Sequence, residues 1–122
     1  MQPAKVGIIG CGAISGVYFE AGKVFEAFDI VAAADLIPER AQAKAEQFGI
    51  PKVCSPEELL ADPDIEIVVN LTIPKAHYEI NLAALQAGKH VHSEKPLAVT
   101  PAEGRHLVEV ARQKGLRLGC AP

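Results

Sequence analysis

The chain alternates short, uninterrupted apolar runs with longer stretches in which apolar residues recur at helical spacing. Runs of the first kind fit strands covered on both faces, as in a parallel sheet, and stretches of the second kind fit helices with one buried side. Lys5 to Ile9 reads as a first strand. The helix after it would carry Ile14, Val17, Tyr18, Ala21, Val24, Phe25 and Phe28 on one core-facing stripe. Asp29 to Asp35 reads as a second strand, apolar through Ile30 to Ala34 and closed by a charge. Pro38 then opens a helix with Ala41, Ala45 and Phe48 on one side, ended by Gly49 and Pro51. Lys52-Val53-Cys54 is a short third strand, and Ser55 caps a brief helix behind it. Ile65 to Thr72 makes the fourth strand, and the helix from about Lys75 to Ala87 turns Ile80, Ala83, Ala84 and Ala87 inward. A fifth strand at His90-Val91-His92, a helix from Pro101 with Gly104, Leu107, Val108 and Ala111 inward, and a sixth strand over Leu116 to Cys120 complete the pattern. Regular alternation of this kind predicts an α/β fold, a doubly wound, Rossmann-like parallel sheet of about six strands with helices on both faces.

Sheets of this kind take ligands beyond the carboxyl ends of their strands. Each unusual polar cluster falls at such an end: Gly10-Cys11-Gly12, Asp35, Thr72-Ile73-Pro74 and Glu94-Lys95-Pro96. In the first, Gly10 permits a tight turn and Gly12 removes a Cβ where a pyrophosphate would approach. The helix start at Ala13 and Ile14 would offer amides and the positive end of its dipole. Ser15 stands where a third glycine would be expected, so a glycine-rich turn without a ligand stays open. Asp35 lies about 20 residues beyond the turn, the separation at which a carboxylate reaches an adenosine ribose. A carboxylate there favours NAD, while Arg40 nearby leaves NADP open, and a plain capping role for Asp35 is the competing reading. Glu94 and Lys95 give an acid beside a base at the cleft mouth, the residue types that a proton-coupled hydride transfer uses, or else an ion-paired surface turn.

Composition narrows the field. With 122 residues, 49% of them hydrophobic and 22% charged, the chain has one domain's worth of core and is neither disordered nor a membrane protein. A formal net charge of −3 argues against a nucleic-acid partner. No apolar stretch reaches bilayer-spanning length and residues 1–9 lack the form of a secretion signal, so the expectation is a cytoplasmic protein with no membrane partner. Cys11, Cys54 and Cys120 are odd in number and widely spaced, which suits a reducing compartment; Cys11 in the glycine turn leaves a reactive thiol open. His90 and His92 share a strand face, but no third ligand is near and no metal is expected.

Several of these pieces together resemble the N-terminal domain of the glucose-fructose oxidoreductase, inositol dehydrogenase and rhizopine-catabolism family (Gfo/Idh/MocA). They are Val6 to Gly12 with Ala13-Ile14-Ser15, the strand ending Ala34-Asp35, Thr72-Ile73-Pro74-Lys75-Ala76-His77, and the long segment from Ala84 to Ala98 that contains Glu94-Lys95-Pro96. The resemblance implies an NAD(P)-binding domain over residues 1–122, from a dehydrogenase of sugars, cyclitols or related polyols. It implies Lys95 as the catalytic lysine at the reacting hydroxyl and Glu94 as the residue at the nicotinamide ribose. It also implies Leu71, Thr72, Ile73 and Pro74 as the cofactor-lining segment, His77 close behind them, and a cis Lys95–Pro96 peptide. Family members continue into a substrate domain that usually carries the oligomer interface, so a homo-oligomer is expected of the full-length protein. This chain, ending at Pro122, is expected to hold a dinucleotide without turning over substrate alone. Two rivals remain: a non-catalytic dinucleotide sensor or scaffold, for which the Glu94–Lys95 pair is superfluous, and a methyl-transfer enzyme, which has no use for the Thr72–Pro74 and Glu94–Pro96 segments.

Overall fold

The computed structural model describes residues 2–24 and 26–121. Six strands, β1 (Ala4–Ile9), β2 (Phe28–Ala34), β3 (Lys52–Cys54), β4 (Ile67–Asn70), β5 (His90–Ser93) and β6 (Leu118–Cys120), form one sheet. Their order is β3-β2-β1-β4-β5-β6 and every pairing is parallel. Five helices connect them: α1 (Ser15–Val24), α2 (Pro38–Phe48), α3 (Pro56–Ala61), α4 (Pro74–Gln86) and α5 (Pro101–Lys114). The chain therefore has the Rossmann-like architecture that the alternation of its apolar runs predicts.

Alternate strand residues feed two separate cores. Ile8, Ala33 and Val69 pack with Phe19 of α1 and Ala41 and Phe48 of α2 on one face. Ile9, Ala32, Ala34 and Val68 pack with Leu59 of α3, Ala84 and Leu85 of α4 and Leu107 of α5 on the other. Each fully buried side chain of this size contributes about 1.5–3 kcal/mol, which is why the strands tolerate so few polar residues.

The register brings the strand ends into one row. Ile9 pairs with Ala34 and with Asn70, Ala34 with Cys54, Asn70 with Ser93, and Ser93 with Cys120. Backbone bonds carry that row one residue further, from Gly10 N to Ala34 O (2.8 Å), Leu71 N to Ile9 O (2.8 Å) and Glu94 N to Asn70 O (3.0 Å). The chain thus leaves the sheet at the same level on four neighbouring strands, which sets the polar clusters side by side.

Two helices present a different face from the expected one. In α1 the buried residues are Ser15 and Phe19, whereas Ile14, Val17 and Val24 are exposed, and Phe28 is a half-exposed residue of β2. The apolar stripe follows a helical period but is turned away from the sheet, because close approach there runs through Ser15 and Gly22; a Cβ on Gly22 would lie 2.4 Å from Ile30 Cδ1. Phe25 of that stripe lies outside the described residues. In α4 the buried residues are His77, Asn81, Ala84 and Leu85, and Ala87 is exposed. In α5 Leu107 and Ala111 are buried as expected and Val108 is not. The Ser55 cap forms in full: Ser55 Oγ accepts from Glu58 N–H, and Glu58 Oε1 accepts from Ser55 N–H.

Candidate functional site

Gly10 is the fixed point of the site. Its φ is 104°, and a Cβ there would stand 2.6 Å from the carbonyl carbon of Leu71 and 2.8 Å from Thr72 N, so only glycine lets the β1 turn pass against the β4 turn. Two residues on, the position of a Gly12 Cβ has no protein atom within 4 Å. The turn ends where Ser15 Oγ donates to Gly12 O at 2.7 Å, so the serine that replaces a third glycine is buried and itself pins the loop.

Asp35 ties the next strand end to this turn. Its Oδ2 accepts from Cys11 N–H at 2.6 Å and its Oδ1 accepts from Ile37 N–H at 2.8 Å. The carboxylate bridges the β1 turn and the loop before α2 but does not cap that helix, whose N-cap is Ile37 with no side-chain cap bond, and it faces a cleft of about 260 Å³. That cleft is lined by Gly10, Gly12, Asp35, Leu36, Ile37, Arg40, Leu71, Thr72 and Ile73. Ala13 and Ile14 are exposed at the start of α1, and Pro74 is exposed at the start of α4. Cys11 is buried; burial and the neighbouring Asp35 carboxylate push its thiol up to about 12, so it has no thiolate character at neutral pH.

The Glu94–Lys95 pair lies across the switch point, in the loop that leaves β5. From β2 to β5 is three strand steps, about 14 Å, along one edge of the sheet. Lys95 is exposed and Glu94 half-buried, and the Lys95–Pro96 peptide is cis. Tyr18 of α1 donates its hydroxyl to Glu94 Oε2; burial and that hydrogen bond push the phenol up to about 12. Tyr18 was read only as a member of the apolar stripe, and the sequence holds no signal for its contact with a residue 76 positions away.

Beneath both turns runs a buried polar network that the hydrophobic pattern hid. Asn70 Oδ1 accepts from Thr72 N–H (3.1 Å) and Thr72 Oγ1–H (2.6 Å), and Asn70 Nδ2 donates to Asn81 Oδ1 (2.8 Å) and His77 O (3.2 Å). Asn81 Nδ2 donates to Ser93 Oγ (3.0 Å) and to Leu97 O (3.1 Å). His77 is buried behind the Leu71–Pro74 segment, with its ring between Thr72 O and Pro96 O. One visible sign of this network is Asn70 itself, a polar residue that ends the apolar strand β4.

His90 Nδ1 accepts from Arg117 N–H at 3.0 Å, and His92 packs its ring against Tyr18. Among the described residues no group of three His, Cys, Asp or Glu side chains gathers as metal ligands, and no helix is long and apolar enough to cross a membrane.

A row of amides, an acidic strand end and a glycine cradle at the switch point of a parallel sheet define a dinucleotide-binding domain. Comparison with known proteins agrees. The model of the oxidoreductase family with an NAD-binding Rossmann fold (GFO_IDH_MocA) matches residues 4–121, and the chain belongs to that family. It is 40% identical over 114 residues to 1,5-anhydro-D-fructose reductase of Ensifer adhaerens, covering 93% of this chain and 34% of the relative. It is 34% identical over 117 residues to inositol 2-dehydrogenase/D-chiro-inositol 3-dehydrogenase of Lactiplantibacillus plantarum, covering 93% of this chain and 33% of that enzyme. The biliverdin reductase of Synechocystis, solved with biliverdin and NADP+, superposes with a TM-score of 0.90 at 36% identity over 97% of this chain and 37% of that one. The chain spans about one third of the length of these relatives.

Proposed function

We propose that residues 1–122 are the cofactor domain of an oxidoreductase that moves a hydride between NAD(P) and a hydroxyl of a sugar, cyclitol or related polyol. The observation that carries this reading is the common edge: the Asp35 cleft and the Glu94–Lys95 pair open on the same side of one sheet, about 14 Å apart, on either side of the switch point. Relatives named for anhydrofructose and inositol support the substrate class.

The residues fit the cofactor. The empty space at the Gly12 Cβ position and the amides of Ala13 and Ile14 suit a diphosphate, and Asp35, held by two N–H groups, keeps lone pairs for ribose hydroxyls. Leu71, Thr72, Ile73 and Pro74 line the middle of the path. Arg40 on the cleft wall allows a 2′-phosphate as well, so NADP is accepted beside NAD. Glu94, fixed by Tyr18, orients the far ribose. The nicotinamide, when bound, supplies hydride chemistry. Lys95, exposed at the mouth, holds the substrate hydroxyl and passes its proton.

In a protein of the relatives' length, the substrate contacts other than Lys95 and the contacts between protomers of a homo-oligomer would come from the other two thirds. The test is Lys95→Ala in that full-length enzyme. It should lower kcat by about 10²–10⁴-fold with NADH affinity kept, the size of a lost acid–base group. Unchanged turnover would remove Lys95 from the chemistry, and a parent protein that binds NADH without turning over any polyol would assign the domain to sensing or scaffolding.

A further inference from the structure

Asn81, in the middle of α4, is fully buried and makes three hydrogen bonds. Its Oδ1 accepts from Asn70 Nδ2 at 2.8 Å, and its Nδ2 donates to Ser93 Oγ at 3.0 Å and to Leu97 O at 3.1 Å. Ser93 is the last residue of β5 and Leu97 lies four residues on, so both feet of the Glu94–Lys95–Pro96 loop rest on one NH2 group. The serine hydroxyl carries the contact onward, donating to Glu94 O at 2.9 Å.

The two ends of the network fix the direction of every bond in it. Leu97 O only accepts, so the NH2 of Asn81 must face it and the amide oxygen must face Asn70. Thr72 N–H only donates, so the oxygen of Asn70 faces the Thr72 turn and its NH2 faces Asn81. Turning over either amide would set oxygen against oxygen at one end or N–H against N–H at the other. An apolar side chain of similar size would fill the same space in α4. What asparagine adds is direction, since each fully satisfied bond fixes where its partner stands.

We propose that Asn81 is a positioning residue for Lys95, one that pins Ser93 and Leu97 and so sets where the lysine stands at the cleft mouth. The anchoring stands on the geometry; its value to catalysis rests on the function proposed above. Among the described residues the Lys95 side chain makes no hydrogen bond or ion pair, so its place depends on the backbone that carries it. The ring of His77 lies against the same loop but reaches it at Pro96 O alone, whereas Asn81 holds it on both sides of Lys95. Through Asn70 the same amide ties the loop leaving β5 to the Thr72 turn leaving β4.

The test compares Asn81→Ala with Leu59→Ala, which removes core packing at Gly7 of β1, two strands away from β5. In 15N spectra of this chain without cofactor, Asn81→Ala should move the amides of Lys95 and Ala98, the peptide partners of Glu94 O and Leu97 O; Leu59→Ala should not. In the full-length enzyme Asn81→Ala should lower kcat by about 10²-fold, the scale of a misplaced catalytic group. KM and NADH affinity should hold, because Thr72 keeps its bonds to Asn70 Oδ1. Should Asn81→Ala not fold, Ser93→Ala removes one of the two feet and should give the same pattern at smaller size. Amides of Lys95 and Ala98 that stay still overturn the anchor, and a kcat no lower than that of Leu59→Ala overturns the positioning role. The amide readout involves neither NADH nor substrate. Shifted amides alongside a Lys95→Ala enzyme of unchanged turnover would therefore count against the proposed function and leave the anchor standing.

Discussion

The hydroxyl of Tyr18 donates to the Glu94 carboxylate, joining α1 on one side of the switch point to the end of β5 on the other. Burial, and then this bond, push the phenol up to about 12, above the ordinary tyrosine value. Between pH 10 and 12 the unfolded chain therefore releases a proton that the folded chain retains, and stability falls as pH rises through that window. Tyr18→Phe should remove this contribution to the alkaline loss and weaken NADH binding several-fold. Urea unfolding at pH 8 and pH 11, with an NADH titration at pH 8, checks both; an unaltered alkaline slope would contradict the contact.

The two glycines of the first turn separate folding from binding. Gly10→Ala drives a Cβ into the Leu71 backbone at a positive φ, and should cost at least about 1–3 kcal/mol of stability. Gly12→Ala meets nothing in the protein and should change stability by under about 0.5 kcal/mol, yet abolish dinucleotide binding by filling the diphosphate cradle. Thermal melts and NADH titrations of both variants decide this; a Gly12→Ala protein that binds normally would place the diphosphate elsewhere.

Asp35→Ala leaves the amides of Cys11 and Ile37 without their acceptor. The loss should be about 1.5–3 kcal/mol in chemical denaturation, together with a fall in cofactor affinity. Asp35→Asn, which retains one acceptor oxygen, should lie between the two. Equal stabilities for all three proteins would mean that the carboxylate has no structural part.

How far the sequence foretold this site depended on whether polarity marked a surface or a core. Strand ends were legible where an apolar run stops at a charge or a glycine, as at Gly10, Asp35 and Glu94, whereas β4 ends at Asn70, two residues before the expected Thr72. Helix faces were less so. Counting only apolar positions turned α1 toward Val17 and Val24, although the sheet needs the small Ser15 and Gly22 at the contact, and in α4 it excluded His77 and Asn81. Those polar residues are inside because each finds a partner there, a fact that no periodicity carries. Lys89 is a further case: its ammonium is buried on Asp62 O and Ile65 O, and burial draws its pKa down.

Thiol chemistry distinguishes the three cysteines. Cys120 is exposed, Cys54 half-buried and Cys11 buried with its Sγ–H on Ala34 O. A disulfide reagent at pH 8 should label Cys120 first and leave Cys11 untouched until the protein unfolds. Rapid modification of Cys11 in the native protein would contradict its burial.

The most direct test of the account is an amide chemical-shift map of this chain titrated with NADH. It should show perturbations at both ends of one edge, around Gly10 to Ile14 and Asp35 to Ile37 on one side of the switch point and at Glu94 and Lys95 on the other, saturating at a single affinity. Shifts confined to one end, or two ends that saturate separately, would contradict a single extended dinucleotide spanning the site.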